Sequence, residues 1–83
     1  MFEVKLKNPA IRFLKKVDKK EQDRIIKKLR QLEENAELGK PLTGRLSGLW
    51  SLRFGKYRAL YQIEKNKLLV MVLEIGHRKN IYN

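Results

Sequence analysis

Cysteine is absent from this 83-residue chain, and histidine occurs once, at position 77. The first absence removes any disulfide framework and any thiolate metal site. The second argues against zinc held by imidazoles. No apolar run approaches the roughly 20 residues that cross a bilayer, and no leader-like segment precedes the first strand. The expectation is a cytoplasmic protein with no membrane partner. Proline and glycine are sparse, at two and five residues, and there is no repeat, low-complexity tract or linker. With 42 % hydrophobic residues, disorder throughout is excluded. The length suits one domain, residues 1–83, with a core near the lower limit of what folds unaided.

Acidic residues are the remaining scarcity. Nine Asp and Glu stand against twenty Lys and Arg, a formal net charge of +11. Residues 1–38 hold eleven basic and seven acidic side chains, a net +4; residues 39–83 hold nine and two, a net +7. Internal neutralisation is therefore weakest in the second half. Such a field attracts polyanions and speeds encounter with them in a salt-dependent way, which points to nucleic acid.

Phe2 to Lys7 alternates apolar and polar residues, the period of a half-buried strand. Asn8-Pro9 then predicts a helix start, with Asn8 as the cap and Pro9 at the first helical position. Ile11, Phe13, Leu14 and Val17 give this helix an apolar face. Asp18 is the expected cap of a second helix, in which Ile25, Ile26, Leu29, Leu32 and Ala36 recur at helical spacing. Asp23 and Lys27 stand four apart in the favourable orientation, and Gly39 and Pro41 supply stop signals. Residues 49–54, 57–64 and 67–75 read as three strands joined by turns at Gly55-Lys56 and Lys65-Asn66, hence antiparallel neighbours. In the first of these, Trp50, Leu52 and Phe54 share one face and Ser51 and Arg53 the other. The continuously apolar run 68–73 predicts a central strand covered on both faces. The fold class is α+β: an N-terminal strand and a two-helix hairpin packed on an antiparallel sheet completed by three C-terminal strands.

Two motifs carry chemistry. Tyr57-Arg58-Ala59-Leu60-Tyr61 places an arginine on one strand. The last strand runs into Gly76-His77-Arg78, followed shortly by Tyr82. Two adjacent strands that each present a planar, permanently charged guanidinium suit a site that holds phosphate. WSLRFGKYRALYQIE followed by EIGHRKNIY resembles the RelE/ParE toxin superfamily, and more closely its RelE branch; the likeness covers essentially the whole chain.

The resemblance implies a toxin of a type II toxin–antitoxin pair that binds the ribosomal A site and cleaves mRNA there, without a cofactor or metal. It implies that Arg78 lies at the scissile phosphate, stabilising transition-state charge, and that Arg58 clamps the phosphate beside it. Relatives of the RelE type carry two lysines on alternate residues of the first hairpin strand, where this chain has Ser51 and Arg53. The proton acceptor is therefore left open between Arg53 and Lys56. Tyr82 stacks on a base, bonds a phosphate or sugar oxygen, or packs as a tail. His77 is either an acid–base group or, as strand alternation favours, a structural residue on the opposite side from Arg78. Lys27, Lys28, Arg45 and Lys56 are further candidates for RNA contact. Expected partners are a cognate antitoxin with an acidic or amphipathic segment that wraps the toxin, in a possible heterotetramer, together with the ribosome and mRNA. The alternatives are a DNA gyrase inhibitor of the ParE kind and a catalytically silent nucleic-acid-binding relative.

Overall fold

The computed structural model describes residues 1–79. Strand β1 (Glu3–Leu6) leads into helix α1 (Asn8–Lys16), and α2 (Lys19–Arg30) follows after a tight corner. The short β2 (Lys40–Pro41) opens the second half, and β3 (Trp50–Phe54), β4 (Tyr57–Glu64) and β5 (Leu69–His77) complete it. The five strands form one sheet in the order β1-β5-β4-β3-β2.

Most of the expected architecture is present, with one change of sheet type. The β3, β4 and β5 meander is antiparallel, as the short turns require, but β1 pairs with β5 in parallel, Val4 opposite Val70 and Leu6 opposite Val72. The sheet is therefore mixed. The chain leaves β1 through the helices, re-enters at the far edge in β2, and meanders back until its last long strand lies beside its first. Turn chemistry reports only sequence neighbours, so it is silent on this closing pair.

Local signals hold at some ends and fail at others. Asp18 caps α2 as expected, its Oδ1 accepting from the Glu21 N–H at 2.9 Å. One turn further on, the Gln22 side-chain amide donates to the Leu14 carbonyl at 2.7 Å. That bond satisfies an orphan carbonyl at the end of α1 and fixes the helix corner. Asn8 is not the cap of α1: Lys7 takes that place in extended backbone, with no side-chain bond, and Pro9 falls one position deeper. Asp23 pairs with Lys19 at 3.5 Å, one turn back, rather than with Lys27. Nor does Gly39 end the second helix. The α-helix stops at Arg30 and tightens into a 3-10 turn, Gln31–Glu33, which carries Leu32 into the core.

Gly39 has a different use. A β-carbon there would fall on the Ser51 carbonyl oxygen and lie 2.9 Å from the Tyr61 hydroxyl. Tyr61 is fully buried; its hydroxyl donates to the Ala36 carbonyl at 2.8 Å and accepts from the Gly39 N–H at 3.0 Å. One side chain of β4 thus pins the irregular segment between α2 and β2 over the core. It shares one core with Leu14, Ile25, Leu29, Leu52, Val70 and Val72.

β5 departs most from expectation. Leu60 pairs with Glu74 but Tyr61 with Val72, so Leu73 is an extra residue, a β-bulge. Val70 and Val72 are buried against the helices before it and Ile75 after it, while Leu69, Met71 and Leu73 are half-buried on alternate positions. The strand is thus covered fully on the helix side only, not on both faces.

Tyr61→Phe should leave a part-buried N–H and a buried carbonyl without their partner. It should lower unfolding stability by about 1–3 kcal/mol, read as a reduced urea midpoint at unchanged slope. Gly39→Ala should be worse, because backbone must move.

Candidate functional site

The site is assembled by register. Strand alternation in β3 sends Leu52 to the core and leaves Arg53 exposed on the other face. Arg53 stands directly opposite Arg58 of β4, and Arg58 in turn stands opposite Gly76 of β5. Gly76 has no side chain, so β5 itself places none opposite Arg58. The bulge at Leu73 makes this possible: without the extra residue, alternation would turn Glu74 and Gly76 toward the helices.

Arg78 follows β5 directly. Its N–H donates to the Lys56 carbonyl at 3.0 Å, tying the chain beyond β5 to the turn between β3 and β4. The side chain is exposed. The Arg58 guanidinium lies below the usual arginine range, first through burial, then through the positive charges of Arg53 and Arg78. That range is so high that Arg58 stays charged at neutral pH. Three guanidinium groups therefore act on one another at the end of the sheet, and a phosphate placed among them relieves repulsion while supplying acceptors.

His77 points the other way. It pairs with Tyr57, and its ring meets those of Tyr57 at 5.5 Å and Phe13 at 6.1 Å on the helix side. This favours the structural reading of His77 over an acid–base one. Beneath it, the Tyr57 hydroxyl donates to Glu21 Oε1 at 2.7 Å. That bond, then burial, holds the phenol above its usual range. Tyr57 and His77 immediately precede Arg58 and Arg78 in the chain. The anchored aromatic layer thus fixes the backbone that delivers both arginines. The Tyr57–Glu21 link spans 36 residues, and no local pattern in the sequence announces it.

Lys56 sits at the turn, exposed, its Nζ 5.6 Å from the centre of the Tyr57 ring. It lines a basic cleft of about 320 Å3 with His77, Arg78 and Lys79. Lys79 is an addition to the site, since nothing in the sequence distinguishes it from other surface lysines. Lys27 and Lys28 line a separate cleft of about 510 Å3 between α2 and the β3–β4 turn, with Arg24, Phe54, Lys56 and Tyr57. They are thus near Lys56 but on the helix side of the sheet. Arg45 is exposed on the 3-10 turn Gly44–Leu46, which leads toward the Trp50 end of β3, whereas Arg53 and Arg58 lie toward its Phe54 end. The sequence grouping of these four cations with the arginines therefore resolves into three locations. Tyr82 lies outside the described residues. Among the described residues, no group of three His, Cys, Asp or Glu is placed to hold a metal ion.

Arg58→Ala should weaken binding of a short single-stranded oligoribonucleotide about tenfold or more at low salt. It should also flatten the log–log salt dependence by about 0.7, for one phosphate no longer neutralised. Fluorescence anisotropy across a salt series reads both.

Comparison with known proteins places this geometry. A family model described as the ParE toxin of the type II toxin-antitoxin system, parDE, matches residues 4–82. Toxin RelG of Mycobacterium tuberculosis (strain ATCC 25618 / H37Rv) is 43% identical over 49 residues, which are 59% of this chain and 56% of that protein. The chain thus aligns with little more than half of that relative's length. A chain of the toxin-antitoxin complex RelBE2 from Mycobacterium tuberculosis matches with a TM-score of 0.84 and 30% identity, covering 95% of this chain and 93% of that one. The isolated RelE toxin of E. coli matches in fold with a TM-score of 0.76 at 20% identity, over 99% of this chain and 92% of its own. With a family model spanning nearly its whole length and a solved relative covered almost end to end, the chain belongs to the RelE/ParE superfamily of type II toxin–antitoxin toxins.

Proposed function

We propose that this toxin is a ribosome-dependent mRNA endonuclease that cleaves in the A site through attack of the substrate's own 2′-OH on the adjacent phosphate. The observation that carries this reading is Arg58, half-buried between Arg53 across the hairpin and the field of Arg78. In that reaction the 2′ oxygen forms a bond to phosphorus, the P–O5′ bond breaks, and a 2′,3′-cyclic phosphate and a 5′-hydroxyl result. One proton leaves the 2′-OH and one reaches the departing 5′ oxygen. Arg58 holds the phosphate in line, and Arg78 stabilises the charge that builds on its oxygens. Arg53 and Lys56 remain the candidates for the 2′-OH proton, and Tyr82 a candidate for stacking or hydrogen bonding. No metal or cofactor enters this scheme.

The proposed partners are the ribosome, mRNA and a cognate antitoxin. Solved relatives include the intact E. coli RelBE toxin-antitoxin complex and an archaeal RelE-RelB complex from Pyrococcus horikoshii OT3. An acidic or amphipathic antitoxin segment matches the net charge of +11, and a toxin–antitoxin heterotetramer is the assembly we propose. Among the described residues no helix is long and apolar enough to cross a membrane.

A second reading, inhibition of DNA gyrase, is favoured by one finding: the matching family model is described as a ParE toxin. Primer extension on mRNA in a reconstituted translation mix separates the two. Wild type should give codon-phased cuts only when ribosomes are present, and Arg78→Ala should reduce the cleavage rate on the order of 10²–10³-fold. Intact message together with blocked supercoiling would establish the gyrase reading; intact message with normal supercoiling would mark a silent relative.

A further inference from the structure

Beside the arginines, on the same face of the sheet, lies a cavity of about 290 Å3 that the reaction scheme does not use. Its walls include Leu38, Leu42, Lys40, Ser51, Arg53 and Arg58. We propose that this cavity is a nucleobase subsite, seating the base attached to the phosphate that Arg58 holds. The inference rests on the phosphate-holding reading of the arginines and adds a specificity element to it.

Three observations carry it. First, the cavity shares Arg53 and Arg58 with the phosphate site, so a ligand spanning both would have one anionic end and one uncharged end. Second, its lining is mixed in the manner that holds bases. Leucine side chains offer flat apolar contact, and guanidinium planes stack on unpaired bases. At about 290 Å3 it lies at the small end of ligand pockets, roughly 300–1,000 Å3, a size for one base and its sugar rather than a longer segment. Third, Ser51 is 6% exposed, and its Oγ has no hydrogen-bond partner among the described residues. A buried hydroxyl left unpaired is costly, and turning one torsion lets it donate to or accept from a base edge.

The wall at Ser51 is held from behind. Lys40 pairs with Ser51 across the β2–β3 edge, and Gly39 approaches the Ser51 carbonyl so closely that no side chain fits there. The loop side of the cavity is thus tied to the strand side at this point. A base seated there would be read by the Ser51 hydroxyl, with Lys40 at the rim.

The test is a titration of the isotope-labelled full chain, followed by amide NMR, with three probes: inorganic phosphate, adenosine 5′-monophosphate and uridine 5′-monophosphate. Phosphate should move the signals of Arg53, Arg58 and Arg78 alone. The nucleotides should in addition move Gly39, Lys40, Leu42 and Ser51. Ser51→Ala should weaken nucleotide binding about two- to tenfold, as expected for one hydrogen bond, while leaving phosphate binding unchanged. Leu42→Trp, which fills the cavity from the loop side, should abolish the nucleotide-specific shifts and keep the phosphate ones. If nucleotides and phosphate move the same arginine signals and nothing else, the subsite is wrong and the phosphate site stands. If no probe moves the arginines, the phosphate-holding reading itself fails. An acetylated glutamyl-phenylalanine dipeptide that moves the cavity signals where nucleotides do not would reassign the cavity to a peptide partner.

Discussion

Mutual repulsion among like charges is the constraint around which this small domain is arranged. Arg58 is half-buried, faces Arg53 directly across the hairpin and feels Arg78 beyond β5. Like charges placed opposite one another in a sheet are destabilising, and partial burial adds a desolvation cost. The backbone cannot relax away, because β4 is hydrogen-bonded on both sides and Tyr57, the preceding residue, is tied to Glu21. Stability elsewhere is used to hold the three guanidinium groups near one another. That is the pattern expected where a binding site has been preorganised.

The means of enforcement are ordinary ones applied at the right places. A single extra residue in β5 changes which residues face Arg58, turning Gly76 to its side and His77 to the aromatic layer behind. The Arg78 N–H then bonds to the turn at Lys56, so the end of the last strand is tied to the tip of the central hairpin. Further along β4, the Tyr61 hydroxyl fixes the segment before β2. Each device lies on or against β4, the strand through which the sheet, the core and the arginines are connected.

How far the sequence speaks follows from the range of each interaction. Strand alternation at 2–7, the Asp18 cap, the Gly55-Lys56 turn and the outward Arg53 depend on neighbours within a few residues, and they were legible. The expected turn at Lys65-Asn66 is instead a 3-10 turn, Lys65–Lys67, followed by a left-handed Leu68, so β5 begins at Leu69. The Arg58–Arg78 neighbourhood was legible too, through motif resemblance. Parallel pairing of β1 with β5, the bulge at Leu73 and the Tyr57–Glu21 bond join segments far apart in the chain, and no local period encodes them. Asn8 and Gly39 misled because their side-chain preferences fit two situations. Pro9 is tolerated at either of the first helical positions, so it does not fix which residue caps α1. Gly39 is required by close packing against Ser51, not by a helix end.

Composition of the site also bears on why a nuclease of this kind would need the ribosome. Guanidinium groups stabilise charge well but surrender protons poorly, and three of them cluster here. The chain's one imidazole, His77, packs against Tyr57 and Phe13 on the other side of the sheet. Ser51 stands where the family resemblance leads one to expect a lysine, and its hydroxyl is a weak base. Under the 2′-OH mechanism, such a site has ample means to bind phosphate and stabilise its transition state, and little with which to remove a proton. Arg53, Lys56 or a group of the ribosome would have to complete it. Free RNA would then be held without being cut efficiently. Under that mechanism, a site rich in guanidinium groups but short of a base would make ribosome dependence a consequence of its chemistry and not only of substrate recognition.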